Sequence, residues 1–130
     1  MDELFDLKII TPERVFYEGR VSYTAFTTVE GQVGIYAGHE ALTMLISPGV
    51  LHIVTPEGEK KAALHSGFAE VTPTSVNVLA QIAEWPEEID KNRAEEARIR
   101  AERRIREDGS SIRAEMALRR AIARIEALEN

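Results

Sequence analysis

The chain changes character abruptly near Glu84, and that break limits the folds open to it. Residues 1–83 carry seven of the eight glycines, all seven Phe and Tyr residues and only 15 charges. Residues 84–130 carry 23 charges in 47 positions, a single glycine and ten of the twelve arginines. The first stretch has the makings of a packed β core, and the second those of solvated helices. With 130 residues, the chain has room for one modest core and an appendage. The division predicted is residues 1–84 and residues 85–130.

The first part reads as β. Apolar or alternating runs recur between turn signals every eight to twelve residues or so, as in a sandwich or barrel. Leu4–Ile10, Val15–Tyr17 and Val21–Thr28 are rich in β-branched, aromatic and alternating apolar residues. Pro48-Gly49, Pro56-Glu57-Gly58 and Pro73-Thr74-Ser75 read as turns, because Pro presets φ and Gly accepts a positive φ. They bracket expected strands at Val50–Thr55, Lys60–His65, Phe68–Thr72 and Val76–Ile82. Gly31–Gly38 reads as a glycine loop.

The second part reads as two helices. Pro86 suits an early helical position, and Glu87, Glu88 and Asp90 favour the positive end of the helix. The first helix is expected to run to about Glu107, with Arg103, Arg104 and Arg106 in its last turn. Asp108-Gly109-Ser110-Ser111 breaks it: Gly109 suits a left-handed stop, and Ser110 or Ser111 a cap for the next start. Ala114, Ala117, Leu118, Ala121, Ile125 and Leu128 then form an apolar stripe at helical spacing. So short a break predicts an antiparallel hairpin. The first helix offers only Ala94, Ala97, Ala101 and Ile105 as an apolar face. Alanine buries little area, so the hairpin is expected to be held weakly.

Several function classes drop out. There is no cysteine, so disulfide frameworks, thiolate metal sites and cysteine nucleophiles are excluded. The net charge of −6 argues against a nucleic-acid partner. No apolar run is long enough for a membrane-spanning helix, and Met1–Ile10 lacks the basic-then-apolar order of a secretion signal. Gly31-Gln32-Val33-Gly34 is not followed by the Gly-Lys-Ser/Thr of a P-loop. His39, His52 and His65 lack metal-ligand spacing, and each alone reads as a loop or surface histidine. Glu13, Glu30 and Glu70 have no spacing that selects them as a hydrolase pair.

The arginines say more. Asp90, Arg93, Ala94, Ala97, Arg100, Ala101 and Arg104 share one face of the first helix through steps of three and four. Arg113, Ala117, Arg120, Ala121 and Arg124 do the same on the second. A closed hairpin would set two arginine-edged faces around a floor of alanines. Guanidinium forks bind phosphate, and alanine admits a flat ring close to the backbone, so one reading is a nucleotide site. Asp90 would accept from a ribose hydroxyl or hold Arg93. A second reading is a solvated face with ordinary ion pairs, Glu96–Arg100 and Glu102–Arg106, worth about 0.2–0.5 kcal/mol each. A third is an acidic surface on a partner protein.

One further pattern adds to these readings. The stretch from Glu30-Gly31 through Gly34-Ile35 and Gly38-His39 to Leu42 resembles the EG-x-x-GI-x-PGH-x-PL pattern of the epsilon-subunit family of bacterial F-type ATP synthases. Ala37 and Ala41 stand where that family usually has proline. His65-Ser66-Gly67-Phe68-Ala69-Glu70-Val71 is similar to its SGGF-x-EV, with Ser66 for a glycine, and the resemblance extends over nearly the whole chain. It implies an α+β fold: a flattened antiparallel β-sandwich followed by a C-terminal antiparallel two-helix hairpin. It implies a non-catalytic central-stalk subunit whose sandwich contacts the gamma subunit and the membrane rotor c-ring, without inserting into the membrane. In the family the hairpin lies folded on the sandwich or extends into the catalytic alpha/beta hexamer, where it inhibits ATP hydrolysis. In some bacterial members ATP stabilises the folded form as a regulatory ligand. Ile89-Asp90-Lys91-Asn92-Arg93-Ala94 matches the Ile/Leu-Asp-x-x-Arg-Ala motif of that property. By the same resemblance Glu84, Arg100, Arg120 and Arg124 join Ile89, Asp90, Arg93 and Ala94 as the expected ATP contacts. A magnesium requirement is left open. The expected location is peripheral, on the cytoplasmic face of a bacterial cell membrane. The rival expectation is a free-standing ATP-sensing adaptor outside any rotary complex, with a small hydrolase a distant third.

Overall fold

A computed structural model of the chain describes residues 3–129. Ten strands come first: β1 Phe5–Ile10, β2 Val15–Val21, β3 Tyr23–Thr28, β4 Gly31–Ile35, β5 Leu42–Ile46, β6 Gly49–Thr55, β7 Gly58–Leu64, β8 Gly67–Thr72, β9 Ser75–Ala80 and β10 Ala83–Glu84. A single turn of 3-10 helix, Pro86–Glu88, leads to α1 Lys91–Asp108 and α2 Ile112–Ala127.

The strands hydrogen-bond in the order β10-β7-β6-β3-β5-β8-β9-β1-β2, with β4 on β3. Between β3 and β5 the ladder narrows to one pair, Thr28 with Ile46. It thus separates two five-stranded halves, whose inward residues share one core. Phe5, Leu7, Ile9, Val76 and Val78 supply one side of it, and Phe26, Leu51, Ile53 and Leu64 the other. The alternation of the sequence places these side chains inward and their neighbours outward. The sheet is antiparallel except for β1 against β9, which run parallel from Asp6/Ser75 to Ile10/Leu79. A parallel pair needs a long connection, and the first and last long strands have the whole domain between them.

Of the stretch Gly31–Gly38 expected as a loop, Gly31–Ile35 is strand β4, and the chain turns after it, with Gly38 at a φ of 81°. The Thr28 hydroxyl makes the turn into β4, accepting from the Glu30 N–H at 3.1 Å and donating to the Gly31 carbonyl at 2.7 Å. Gly34 belongs in that strand because a Cβ there would overlap the ring of Tyr23. Glycine here serves close approach rather than a loop.

Outside the core, one row of side chains crosses the outer surface of five adjacent strands. Register aligns Leu45 with Phe68, Phe68 with Leu79, Leu79 with Ile10, and Ile10 with Val15. Leu45, Phe68, Leu79 and Val15 are exposed. The next row on that face, Thr43, Glu70, Asn77, Lys8 and Glu18, is polar.

The hairpin follows the sequence closely at its turn and less so at its start. Gly109 takes a φ of 83°, and the Ser111 hydroxyl accepts from the Ala114 N–H, capping α2. α1 begins after Asp90, not near Pro86. Ile89 and Asp90 are extended, and the Asp90 carboxylate accepts from the Arg93 N–H, so Asp90 is the cap. The Glu88 carboxylate closes the preceding turn on the Trp85 N–H at 2.9 Å. Trp85 anchors this linker: its ring stacks on Phe16 at 4.2 Å, with Lys60 over it at 5.8 Å. The hairpin lies folded, α2 against β6 and β7 and α1 against α2. Its fully buried residues are all alanines: Ala94, Ala101, Ala114, Ala121, Ala123 and Ala127.

Candidate functional site

A cleft of about 460 Å³ opens where β10, the Ile89–Asp90 link, the first turns of α1 and the last turns of α2 meet. Seven of the eight expected residues line it: Glu84, Ile89, Asp90, Arg93, Ala94, Arg100 and Arg124. β10 brings Glu84 to the sheet edge by pairing with β7. Asp90 ends the linker as a cap, and the turns after it carry Arg93, Ala94, Ala97 and Arg100 along one face. The antiparallel return of α2 brings Arg124 back to the start of α1.

Arg120 is not among the lining residues. It stands one turn before Arg124, about 6 Å nearer the hairpin turn. Glu88, Glu96 and Ala97 complete the lining.

Glu84 is the best-held group. Its Oε1 accepts from Arg124 Nε at 2.7 Å and from His65 Nε2 at 3.0 Å. Burial pushes this carboxyl up. The hydrogen bonds from His65 and Arg124, with their charge interaction, together outweigh burial and leave it below the ordinary glutamate value. Glu88 is also held low, first by the hydrogen bond from Arg14 at 2.7 Å and then by the Trp85 N–H. Asp90 is occupied by its cap, which faces the positive end of α1. Three of the four carboxylates in the cleft therefore already have a cation or a helix end.

The cations are less occupied. Neither Glu96–Arg100 nor Glu102–Arg106 forms an ion pair. Arg98 instead bridges Glu95 at 2.9 Å and Glu102 at 2.8 Å, which takes Glu102 from Arg106, while Glu96 lines the cleft with Arg100 without pairing to it. Among the described residues, Arg93 and Arg100 make no salt bridge. Two unpaired guanidiniums, a helix N-terminus and two small alanines make a surface that can take a phosphorylated ligand with a flat ring. This donor set fits ATP. Among the described residues no three His, Asp or Glu side chains gather as a metal site.

His65 stands outside the eight, although it holds the cleft's central carboxylate. A lone histidine in the sequence reads as a surface group. The signal that marks it is its run of neighbours, Ala62-Ala63-Leu64, the buried end of β7.

The comparisons with known proteins cover both halves. The model for the β-sandwich domain of the ATP synthase delta/epsilon chain matches residues 4–86, and that for its long α-helix domain residues 87–129. The ATP synthase epsilon chain of Clostridium novyi is 48% identical over 129 residues, covering 97% of this chain and 98% of that one. That of Caldanaerobacter subterraneus is 44% identical over 129 residues, covering 96% and 94%. Among solved structures, a chain of the Euglena gracilis mitochondrial ATP synthase superposes with a TM-score of 0.84 at 24% identity, covering 97% of this chain and 82% of its own. A chain from the Tetrahymena thermophila mitochondrial ATP synthase central stalk and c-ring gives 0.57 at 12%, covering 98% and 95%. These two likenesses speak for the fold. With both domain models matched in order and close relatives along nearly its full length, the chain belongs to the ATP synthase delta/epsilon chain family, as a non-catalytic subunit of that complex.

Proposed function

We propose that this chain is a central-stalk rotor subunit that joins the gamma subunit to the membrane c-ring and restrains ATP hydrolysis through its C-terminal hairpin. ATP in the cleft stabilises the folded hairpin. When ATP is scarce the hairpin is released, extends along gamma and docks its basic helix on acidic segments of the catalytic hexamer. A ligand shifts such a balance only by its differential affinity for the two forms. The cleft provides one, because its walls come from both helices and from the sheet edge, and extension separates them. The observation that carries the reading is the gathering of Arg93, Arg100 and Arg124 in one cleft with Glu84 and Asp90.

The partner assignments have their own support. The exposed row of Leu45, Phe68 and Leu79 lies on the sheet half that does not carry α2, and it suits an apolar strip on gamma. No helix among the described residues is long and apolar enough to cross a membrane. Attachment to the ring through the sandwich would hold the subunit peripherally, at the cytoplasmic face of a bacterial membrane.

Calorimetric titration with ATP, with ADP and GTP alongside, tests the regulatory reading. Saturable and selective binding supports it. Silence at millimolar ATP overturns the ligand assignment and leaves the family assignment intact.

A further inference from the structure

His65 follows β7, and its ring is 1% exposed. Its backbone N–H donates to the Ile82 carbonyl at 3.0 Å, which fixes it against the strand that delivers Glu84. Around the ring there is one polar contact among the described residues, Nε2 to Glu84 Oε1 at 3.0 Å; Nδ1 has no partner. An ionised carboxylate only accepts, so Nε2 is the donor. Burying an imidazole with one nitrogen unpaired is unfavourable compared with an apolar side chain of similar size. The one bond it makes is to the carboxylate shared by the sheet edge, the cleft and α2.

The bond also has a geometric consequence. Glu84 Oε1 receives two converging N–H groups, one from inside the sandwich and one from Arg124 on α2. The first belongs to the sandwich whether the hairpin is folded or extended, and the second arrives only on folding. We propose that His65 is a positioning residue: it holds the Glu84 carboxylate in the orientation that Arg124 meets as the hairpin closes. It thereby sets both the docking of the end of α2 and the shape of the cleft wall. The effect on docking stands by itself, whereas the effect on ATP affinity rests on the reading of the cleft given above.

The full-length chain tests this in two readouts, amide hydrogen exchange over residues 120–127 without nucleotide and ATP affinity by calorimetry. His65→Phe keeps the aromatic volume and removes the donor. It is expected to speed exchange at the end of α2 about tenfold and to weaken ATP several-fold, while exchange within β1 and β9 stays slow. His65→Gln, whose amide nitrogen reaches the place of Nε2, is expected to recover most of both. In a Glu84→Met background, His65→Phe is expected to change neither. Unchanged exchange in a folded His65→Phe chain would overturn the proposal, as would equal losses with and without Glu84. Should His65→Phe not fold, His65→Gln against His65→Asn decides, because the shorter amide does not reach; equal exchange in the two overturns it. Absence of ATP binding in the unaltered chain would sink the nucleotide reading alone, and the exchange measurements would still judge His65.

Discussion

Arg124 Nε and Glu84 Oε1 lie 2.7 Å apart, across the junction between α2 and the edge of the β-sandwich. Their side chains are about three-quarters buried, so the pair is shielded more than a surface salt bridge. Arg124→Ala is expected to weaken hairpin docking by about 1.5–3 kcal/mol, the range for a charge-assisted hydrogen bond. Hydrogen exchange should show the loss in α2 and leave β1 and β9 protected. Uniform protection in the variant would show that the pair does not fasten the hairpin.

Arg93 makes no salt bridge among the described residues, so its removal should spare the folded hairpin and injure ligand binding. Arg93→Ala is expected to raise the Kd for ATP about tenfold, equivalent to about 1.4 kcal/mol. With ATP present, it should also shift the population toward the extended form. Titration calorimetry gives the first value, and a distance probe between α2 and β6 the second.

Acid should release the hairpin. Against the effect of burial, Glu84 is held below the ordinary glutamate value by hydrogen bonds from His65 and Arg124, and the Arg124 bond is lost when the hairpin leaves, so ionisation of this group favours the docked hairpin. That contribution is complete above the ordinary value. It is lost as pH falls through it and then through the lower folded value. Exchange at the end of α2 should therefore rise below the ordinary carboxylate range. Glu84→Gln should flatten that dependence, and an identical profile in the variant would assign it elsewhere.

Two sites test packing. Ala121 is fully buried in the hairpin, and Ala121→Leu is expected to cost about 1–3 kcal/mol of docking through overpacking. Gly67 faces the Leu79 carbonyl and the Ala80 backbone, so a Cβ there has no room. Gly67→Ala should lower the Tm of the sandwich itself, whereas Ala121→Leu should leave it nearly unchanged.

Phe68 lies at the centre of the exposed apolar row, aligned with Leu45 on one side and Leu79 on the other. Phe68→Glu should preserve the fold and reduce co-purification with gamma by at least tenfold. Normal assembly of the variant would move the gamma contact to another face.

Much of this was legible in the sequence. Strand alternation shows which residues build the core, and Gly109 with Ser111 shows where the hairpin turns. What escaped depends on particular side-chain contacts and pairings that the sequence does not display. Gly34 reads as a loop residue because its reason for being in a strand is the ring of Tyr23, eleven positions away. Asp90 delays α1 because its carboxylate caps the helix, while Pro86 opens a separate turn. At the cleft, helical spacing and the family motif identify seven lining residues. Spacing also pairs Arg100 with Glu96, although Arg98 takes the neighbouring acids instead. Arg120 has the right residue type one turn from the cleft. The apolar run before His65 signals its burial, but its tie to Glu84 comes from the long-range pairing of β10 with β7.

The alanine lining of the hairpin bears on how docking responds to temperature. The heat-capacity change of an association follows the apolar area removed from water. An interface whose fully buried hairpin residues are all alanine removes little. The enthalpy of docking should then vary only slightly between cold and warm conditions, and a van't Hoff plot of the balance between folded and released hairpin should run nearly straight. Control of that balance is left to the charged contacts at the cleft and to whatever occupies it.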